Sequence, residues 1–181
     1  MVRTLKFHEQ KLLKKVDFIS WNVDNYGKEN KVLRRYHVRK RDDYTKYNKL
    51  SREIRDLTAK ISNLAKNDLF KTEATALLLD KLYALGLSNN ILNLEAASLI
   101  SASFFCRRRL PFIMVKNKLS QNLKNATDLI EEGHVRVGPF VVKDPAFLVS
   151  RNLEDFVTWV DGSQIKRHVL EYNDVRDDYD L

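Results

Sequence analysis

Residues 107–142 read RRRLPFIMVKNKLSQNLKNATDLIEEGHVRVGPFVV and carry the clearest structural signals in the chain. Proline is tolerated in the first turn of a helix, so Pro111 marks the start of a short helix. Leu110, Ile113 and Met114 fall on one face of that helix, at spacings that predict burial. Three consecutive arginines lead directly into it.

A second short helix is predicted from residue 123. Asn122 suits its N-cap, because an asparagine side chain can accept a hydrogen bond from a first-turn N–H. Gly133 ends the helix, since glycine readily takes the left-handed conformation that commonly follows one. The residues predicted to face inward are Leu123, Ala126, Leu129 and Ile130.

A tight hairpin follows the second helix. Residues 134–142 carry apolar side chains on both sides of Gly138-Pro139, which predicts a strand, a turn and a strand. Asp144-Pro145 closes the hairpin. The whole stretch therefore predicts two short helices followed by a β-hairpin.

Two longer helices are predicted upstream. Residues 42–66 carry apolar side chains at steps of three and four, which places them on one helical stripe that we expect to be core. The stripe consists of Tyr44, Tyr47, Leu50, Ile54, Leu57, Ile61 and Leu64. A second helix is predicted from about Thr72 to Leu85, ending at Gly86. A connector then leads to a short helical segment near residues 95–107.

Charge is unevenly distributed along the chain, whose net charge is +8. Residues 1–60 hold 17 Lys and Arg against 8 Asp and Glu, a net of +9, and residues 107–151 come to +5. Residues 61–106 come to −1 and residues 152–181 to −5. A cationic surplus favours polyanionic partners such as nucleic acid or an acidic membrane surface. The gradient suits a molecule with one face on a phosphate backbone and another on basic protein.

These signals divide the chain into four parts. Residues 1–41 form a basic N-terminal arm with local helix, and residues 42–106 form a helical region. Residues 107–151 form the module, and residues 152–181 form a C-terminal strand and helix with an acidic tail, in which Trp159 is expected to pack against the module. A short apolar cluster interrupts the arm and consists of Val16, Phe18, Ile19 and Trp21.

Several classes of function are disfavoured by composition. Cys106 is the only cysteine, so an intramolecular disulfide and a multi-cysteine zinc site are impossible. No run approaches the ~20 apolar residues of a membrane span. The five glycines form no phosphate-cradling loop, and the four histidines are scattered. We therefore expect no catalytic residue, no metal and no cofactor.

The helix–helix–hairpin stretch resembles the S4 domain. Lys118 stands where many members of that family have glycine, and Pro111 where many have aspartate or glutamine. The resemblance implies an α+β, mostly helical fold, in which an S4-type alpha-L RNA-binding module follows an N-terminal helical region. It is carried by Arg108-Arg109-Leu110, Lys116, Ala126, Leu129-Ile130 and residues 133–138 and 144–149.

Upstream, residues 79–86 resemble the segment that precedes the module in eukaryotic small-subunit ribosomal protein S4. Nearly the whole chain resembles the Imp proteins, S4-family components of the U3 small nucleolar ribonucleoprotein and the small-subunit processome. Residues 1–3, 9–18 and 158–161 carry that likeness.

The Imp resemblance implies a non-enzymatic RNA-binding protein of the nucleolus. Such a protein promotes pairing of U3 RNA with pre-rRNA, for 18S rRNA processing and small-subunit assembly. The implied partners are U3 small nucleolar RNA, pre-rRNA, the M-phase phosphoprotein scaffold and other processome proteins, with no membrane.

The candidate site is a set of cations on the module. A-form RNA is recognised through its backbone, its 2′-hydroxyls and unpaired bases, which calls for guanidinium and ammonium groups on a rigid frame. Three adjacent cations repel one another unless a partner offsets their charge, which favours RNA contact for Arg108 and Arg109. His134 could instead hydrogen-bond within the turn, and Lys116 and Lys124 could be solvated. The predicted RNA-binding residues are Arg107, Arg108, Arg109, Lys116, Lys118, Lys124, His134 and Arg136.

Other functions stay open at this point. A mature small-subunit ribosomal protein of the S4 family would share the same module. A purely protein-binding adaptor would fit the acidic tail but would leave the arginines unexplained. S4 modules are also fused to pseudouridine synthases and tyrosyl-tRNA synthetases, but the 106 residues upstream leave little room for a catalytic domain.

Overall fold

The computed structural model of the protein forms two compact units, Met1–Arg35 and Tyr36–Leu181. The second unit contains both long helices and the module. The residues that the structure describes are 3–14, 26–65, 67–89 and 92–175, the side chains of residues 26–28 excepted.

Two described helices lie in the first unit. α1 spans Phe7–Leu13 and α2 spans Tyr26–Arg35. Glu9, in the first turn of α1, accepts a hydrogen bond from the Lys6 backbone N–H at 2.9 Å and pairs with Arg3 at 2.6 Å. Local helix is thus present in the described part of the predicted arm. The predicted apolar cluster at residues 16–21 lies outside the described residues.

The two predicted long helices are confirmed. α3 spans Arg41–Ser62 and α4 spans Leu69–Ala84. The buried face of α3 was predicted wrongly in part: Leu50 and Leu57 are 41% and 48% exposed, whereas Ser51 and Thr58 are buried.

Hydrogen bonding explains why small polar residues take those buried positions on α3. The Ser51 hydroxyl donates to the backbone carbonyl of Ile100 at 2.8 Å, and the Thr58 hydroxyl donates to that of Ile54 at 2.8 Å. With their polar atoms satisfied, both residues can be buried at low cost.

The segment before the module contains two helices rather than the single one predicted. α5 spans Leu94–Ser98 and α6 spans Ala102–Arg107. The turn between them buries Ile100, which is 2% exposed, and leaves its carbonyl free to accept from Ser51. A continuous helix would commit that carbonyl to the N–H four residues later.

The first helix of the module begins where it was predicted. α7 spans Leu110–Lys116, with Pro111 in its first turn. Leu110, Ile113 and Met114 are at most 1% exposed, so the predicted inward face is confirmed.

The second helix of the module, α8, spans Leu123–Glu131. Ala126 and Ile130 are fully buried as predicted, and Thr127 is also buried, which was not predicted. The predicted helix ends at Gly86 and Gly133 are confirmed by left-handed φ values of 72° and 86°. In both cases glycine avoids the steric strain that a Cβ would cause there.

The predicted hairpin consists of β1 at Val135–Val137 and β2 at Phe140–Val141. A third strand, β3 at Val157–Trp159, pairs with β1 on its other side, so the sheet order is β2-β1-β3 and both pairings are antiparallel. Trp159 lies opposite Val135 and packs against the module core, as predicted.

The C-terminal segment completes the module. A 3-10 helix at Arg151–Phe156 precedes β3, and α9 at Gln164–Tyr172 follows it. The α+β, mostly helical fold class is confirmed. Residues 176–181 of the predicted acidic tail lie outside the described residues. Within the described ranges, no helix is long and apolar enough to cross a bilayer.

Candidate RNA interface

Arg108 is buried at the start of the module and is fully engaged within the protein. It is 8% exposed, and its Nε and Nη2 atoms donate to the Val149 carbonyl at 2.9 and 2.7 Å. Its Nη1 atom donates to Glu154 Oε2 at 2.9 Å. The guanidinium therefore holds the segment after the hairpin against the segment before α7.

Arg109 is also buried, at 5% exposure. Its Nε atom donates to the Pro145 carbonyl at 3.2 Å, and its Nη2 atom lies 3.7 Å from Asp43 Oδ2 on α3. The backbone at Arg109 pairs with Leu148 in an antiparallel bridge. The charges of Arg108 and Arg109 are thus each paired with a carboxylate of the same chain, and both side chains are buried.

Lys116 and Arg108 share one carboxylate, that of Glu154. Burial raises the pKa of Glu154, but the hydrogen bonds from Lys116 and Arg108 outweigh it and hold this pKa below its ordinary value. Lys116 stays 59% exposed, so its ammonium can still reach a phosphate.

The two predicted residues of the hairpin are paired with the C-terminal segment. His134 Nδ1 lies 3.0 Å from the Ser163 hydroxyl, at the N-cap of α9. Arg136 donates to Asp161 at 2.7 Å and to the Thr158 hydroxyl at 3.1 Å. His134 thus makes an internal hydrogen bond to a residue outside the turn, and its Nε2 atom lies 3.3 Å from Glu132 Oε2.

Arg107, Lys118 and Lys124 are exposed. The Arg107 guanidinium lies 4.6 Å from the centre of the Phe104 ring, so a cation–π contact orients it. No carboxylate of the described residues pairs with Lys118 or Lys124. Of the eight predicted residues, these three and Lys116 have the most cationic surface available.

Lys118 occupies a left-handed backbone position, with φ 60°, just after α7. The Leu119 N–H bonds to the Met114 carbonyl at 2.9 Å, and the Lys118 N–H to the Val115 carbonyl at 3.2 Å, which closes the helix as a Schellman motif. Glycine suits such a backbone position best because it carries no Cβ. A lysine here carries some backbone strain and places an ammonium group at the end of the helix.

Two arginines that sequence reasoning missed join the helical region to the module. Arg39 pairs with Asp128 and, at 2.5 Å, with Glu131, both on α8. Arg151 lies 4.1 Å from the Tyr83 ring centre and donates to the Asn89 side chain at 3.0 Å. Their partners stand more than 60 residues away in sequence, so no local pattern indicates them.

Comparison with known proteins agrees with this geometry. The sequence profile of the ribosomal protein S4/S9 N-terminal domain matches residues 4–101, and that of the S4 domain matches residues 108–155. The chain is 58% identical to the U3 small nucleolar ribonucleoprotein protein IMP3 of Homo sapiens, over 100% of this chain and 99% of that protein. It is 50% identical to the protein of the same name from Saccharomyces cerevisiae, over the full length of both.

The chain belongs to the IMP3 family of S4-domain proteins. Its likeness to mature ribosomal proteins is more distant: the small ribosomal subunit protein uS4 of Caldivirga maquilingensis is 26% identical over 80% of each chain. The ribosomal alternative is therefore less well supported than membership of the IMP3 family, and these relatives are not named as enzymes.

Proposed function

We propose that this chain is an RNA-binding component of the U3 small nucleolar ribonucleoprotein. The observation that carries the proposal is the identity of 50–58% to two IMP3 proteins over the whole chain, ends included. The names of both relatives place them in that particle. An S4 domain with exposed cations supports an RNA-binding role within it.

The surface proposed for RNA is centred on Arg107, Lys116, Lys118 and Lys124. These side chains lie at the ends or on the surfaces of α6, α7 and α8, and α7 packs against both of the other helices. Rigid helices fix the positions of their charges, and such cations can neutralise RNA phosphates. For Arg108 we propose a structural role that keeps this surface in shape.

The finer proposal concerns mechanism. A cationic protein that binds two RNAs lowers the repulsion between them by screening phosphate charge, so strands can pair without ATP. Residues 1–60 carry a net charge of +9 and residues 107–151 carry +5, which supplies two basic segments in one chain. We propose that they promote pairing of U3 RNA with pre-rRNA, for 18S rRNA processing and small-subunit assembly.

The proposed setting follows from the same family. We propose a nucleolar location, and U3 small nucleolar RNA, pre-rRNA and processome proteins, among them an M-phase phosphoprotein scaffold, as partners. No catalytic role is part of the proposal.

Purification from cells tests this function. A tagged copy of the chain should enrich U3 RNA and sediment with large pre-ribosomal particles, apart from translating ribosomes. Enrichment of mature 18S rRNA in translating ribosomes, with U3 RNA at background, would instead support the ribosomal alternative.

A further inference from the structure

A cavity of about 80 Å³ lies where the chain before α3 meets α8 and the segment after the hairpin. Its lining includes His37, Arg39, Lys40 and Arg109. All of these belong to the unit formed by residues 36–181. The space is large enough for more than one water molecule or for part of a phosphate group.

Two residues that line this cavity each have one buried polar atom that lacks a hydrogen-bond partner among the described residues. These atoms are Nη1 of Arg109 and Nε2 of His37. Arg109 is 5% exposed, so water at the protein surface does not reach most of its guanidinium. Leaving a charged donor buried and unpaired is costly, because the group loses hydration without replacing it. A bound group with acceptor oxygens would remove that cost.

The carboxylates around the cavity already have partners. Glu131 accepts from Arg39 at 2.5 Å, and Asp43 lies 3.7 Å from Nη2 of Arg109. Asp144 accepts from the Ala146 backbone N–H at 2.9 Å. Three hydrogen-bond donors remain available to a bound group. They are Arg109 Nη1, the ammonium of exposed Lys40, and His37 Nε2 in the tautomer that carries its proton on that atom.

We propose that this cavity binds a phosphate group of the RNA backbone. One non-bridging oxygen would accept from Arg109 Nη1 and the other from His37 Nε2, with Lys40 at the rim. Charged donors and a phosphate form short, strong hydrogen bonds. The choice of RNA as the source of the phosphate rests on the proposed function.

The backbone holds His37 in place for this role. Its φ is 48°, in the left-handed region that a non-glycine residue rarely adopts. Asparagine tolerates this conformation better than other residues with a Cβ. His37→Asn therefore shortens the side chain while keeping the turn.

The first test uses inorganic phosphate and the full chain. In a nitrogen-15 NMR titration, phosphate should saturably shift the Arg109 guanidinium and His37 ring signals, compared with chloride at equal ionic strength. The double variant His37→Asn with Lys40→Gln should bind phosphate at least fivefold more weakly. Lys46→Gln, an exposed lysine on α3 outside the cavity lining, is the matched control and should bind as wild type. Shifts that follow only ionic strength would mean a cavity that holds water alone, and the proposal would be overturned.

The second test uses an RNA transcript that contains the U3 5′ region. RNA should displace phosphate from the same signals, and the double variant should lower the slope of log binding constant against log salt by about one. Replacing Lys40 by arginine instead of glutamine in the double variant keeps the positive charge and should restore part of the lost slope. Phosphate binding without displacement by bound RNA would identify a free-phosphate site and overturn the RNA assignment. If the chain binds no RNA at all, the proposed function fails while the phosphate result stands separately.

Discussion

Arg108 Nη1 and Glu154 Oε2 lie 2.9 Å apart in an ion pair whose side chains are 10% and 15% exposed. The pair joins the start of the module to the 3-10 helix that follows it. Arg108 also donates twice to the Val149 carbonyl, and the Val149 N–H donates to the Arg108 carbonyl at 2.9 Å. The relationship marks Arg108 as a residue that holds the fold together.

Arg108→Ala should therefore lower stability strongly. Removing one partner of a buried ion pair typically costs about 3–5 kcal/mol, because the other charge is left uncompensated. Urea unfolding followed by circular dichroism measures the loss in free energy of unfolding. Lys118→Ala, at an exposed cation, is the control and should change it little. Equal stability of Arg108→Ala and wild type would contradict the structural role.

The Glu154 carboxylate should make stability depend on pH in the acid range. Its pKa is lowered in the folded state, so its contribution is present above the ordinary carboxyl pKa, about 4.3, and is lost as pH falls. Glu154→Gln should have a lower free energy of unfolding than wild type at pH 7. The difference between the two free energies, measured by urea unfolding across this pH range, should narrow below about pH 4.5. Glu73→Gln, on the exposed surface of α4, should follow wild type throughout. A constant difference at all pH values would argue against this linkage.

Gly86→Ala should be more destabilising than Gly138→Ala. Both glycines have left-handed φ values, 72° and 60°, so both substitutions carry the same kind of backbone strain, roughly 1–2 kcal/mol. A Cβ at Gly86 would lie 2.7 Å from Arg108 Cζ, whereas one at Gly138 meets nothing within 4 Å. The Arg108 guanidinium cannot move aside without breaking its hydrogen bonds to the Val149 carbonyl and the Glu154 carboxylate. Thermal unfolding measures the drop in melting temperature of each variant. Equal drops would rule out a steric clash between the new Cβ at residue 86 and Arg108.

Removing exposed module cations should weaken RNA binding without unfolding the protein. Lys118→Ala with Lys124→Ala should lower the magnitude of the salt slope by roughly 0.7–0.9 for each phosphate that the variant no longer neutralises. The control is Lys81→Ala, an exposed cation on α4 that lies outside both basic segments. Fluorescence anisotropy with labelled U3 RNA at several salt concentrations gives both slopes. If the control variant lowers the slope as much as the module variant does, RNA lies elsewhere on the chain.

Deleting residues 1–35 should slow annealing of U3 RNA with a complementary pre-rRNA fragment. Single-RNA binding should persist, because the module and Arg39, which pairs with Asp128 on α8, are retained. Stopped-flow fluorescence of labelled strands measures the annealing rate with each protein. Unchanged rates after the deletion would exclude a role for the N-terminal segment in pairing.

Much of the fold follows from local sequence. Pro111 and Gly133 mark helix boundaries through their own backbone preferences, and the spacing of Leu110, Ile113 and Met114 indicates the buried face of α7. Such signals act over a few residues, so no tertiary information is needed to interpret them. The hairpin and the resemblance to the S4 domain were also evident from sequence.

The tertiary structure decided which polar residues are buried and where each arginine is paired. Ser51 and Thr58, rather than Leu50 and Leu57, lie on the buried face of α3, where their hydroxyls donate to the carbonyls of Ile100 and Ile54. From the sequence alone, the three consecutive arginines at residues 107–109 carry the same charge and cannot be told apart.

Only the fold brings Glu154 and Asp43 beside Arg108 and Arg109 while leaving Arg107 exposed. The cavity at His37 and Arg109 likewise joins segments 72 residues apart. Local sequence thus predicts the helices, the strands and the cationic character of the module. The pairing of charges was decided by contacts between distant segments, since electrostatic partners are set by distance in space.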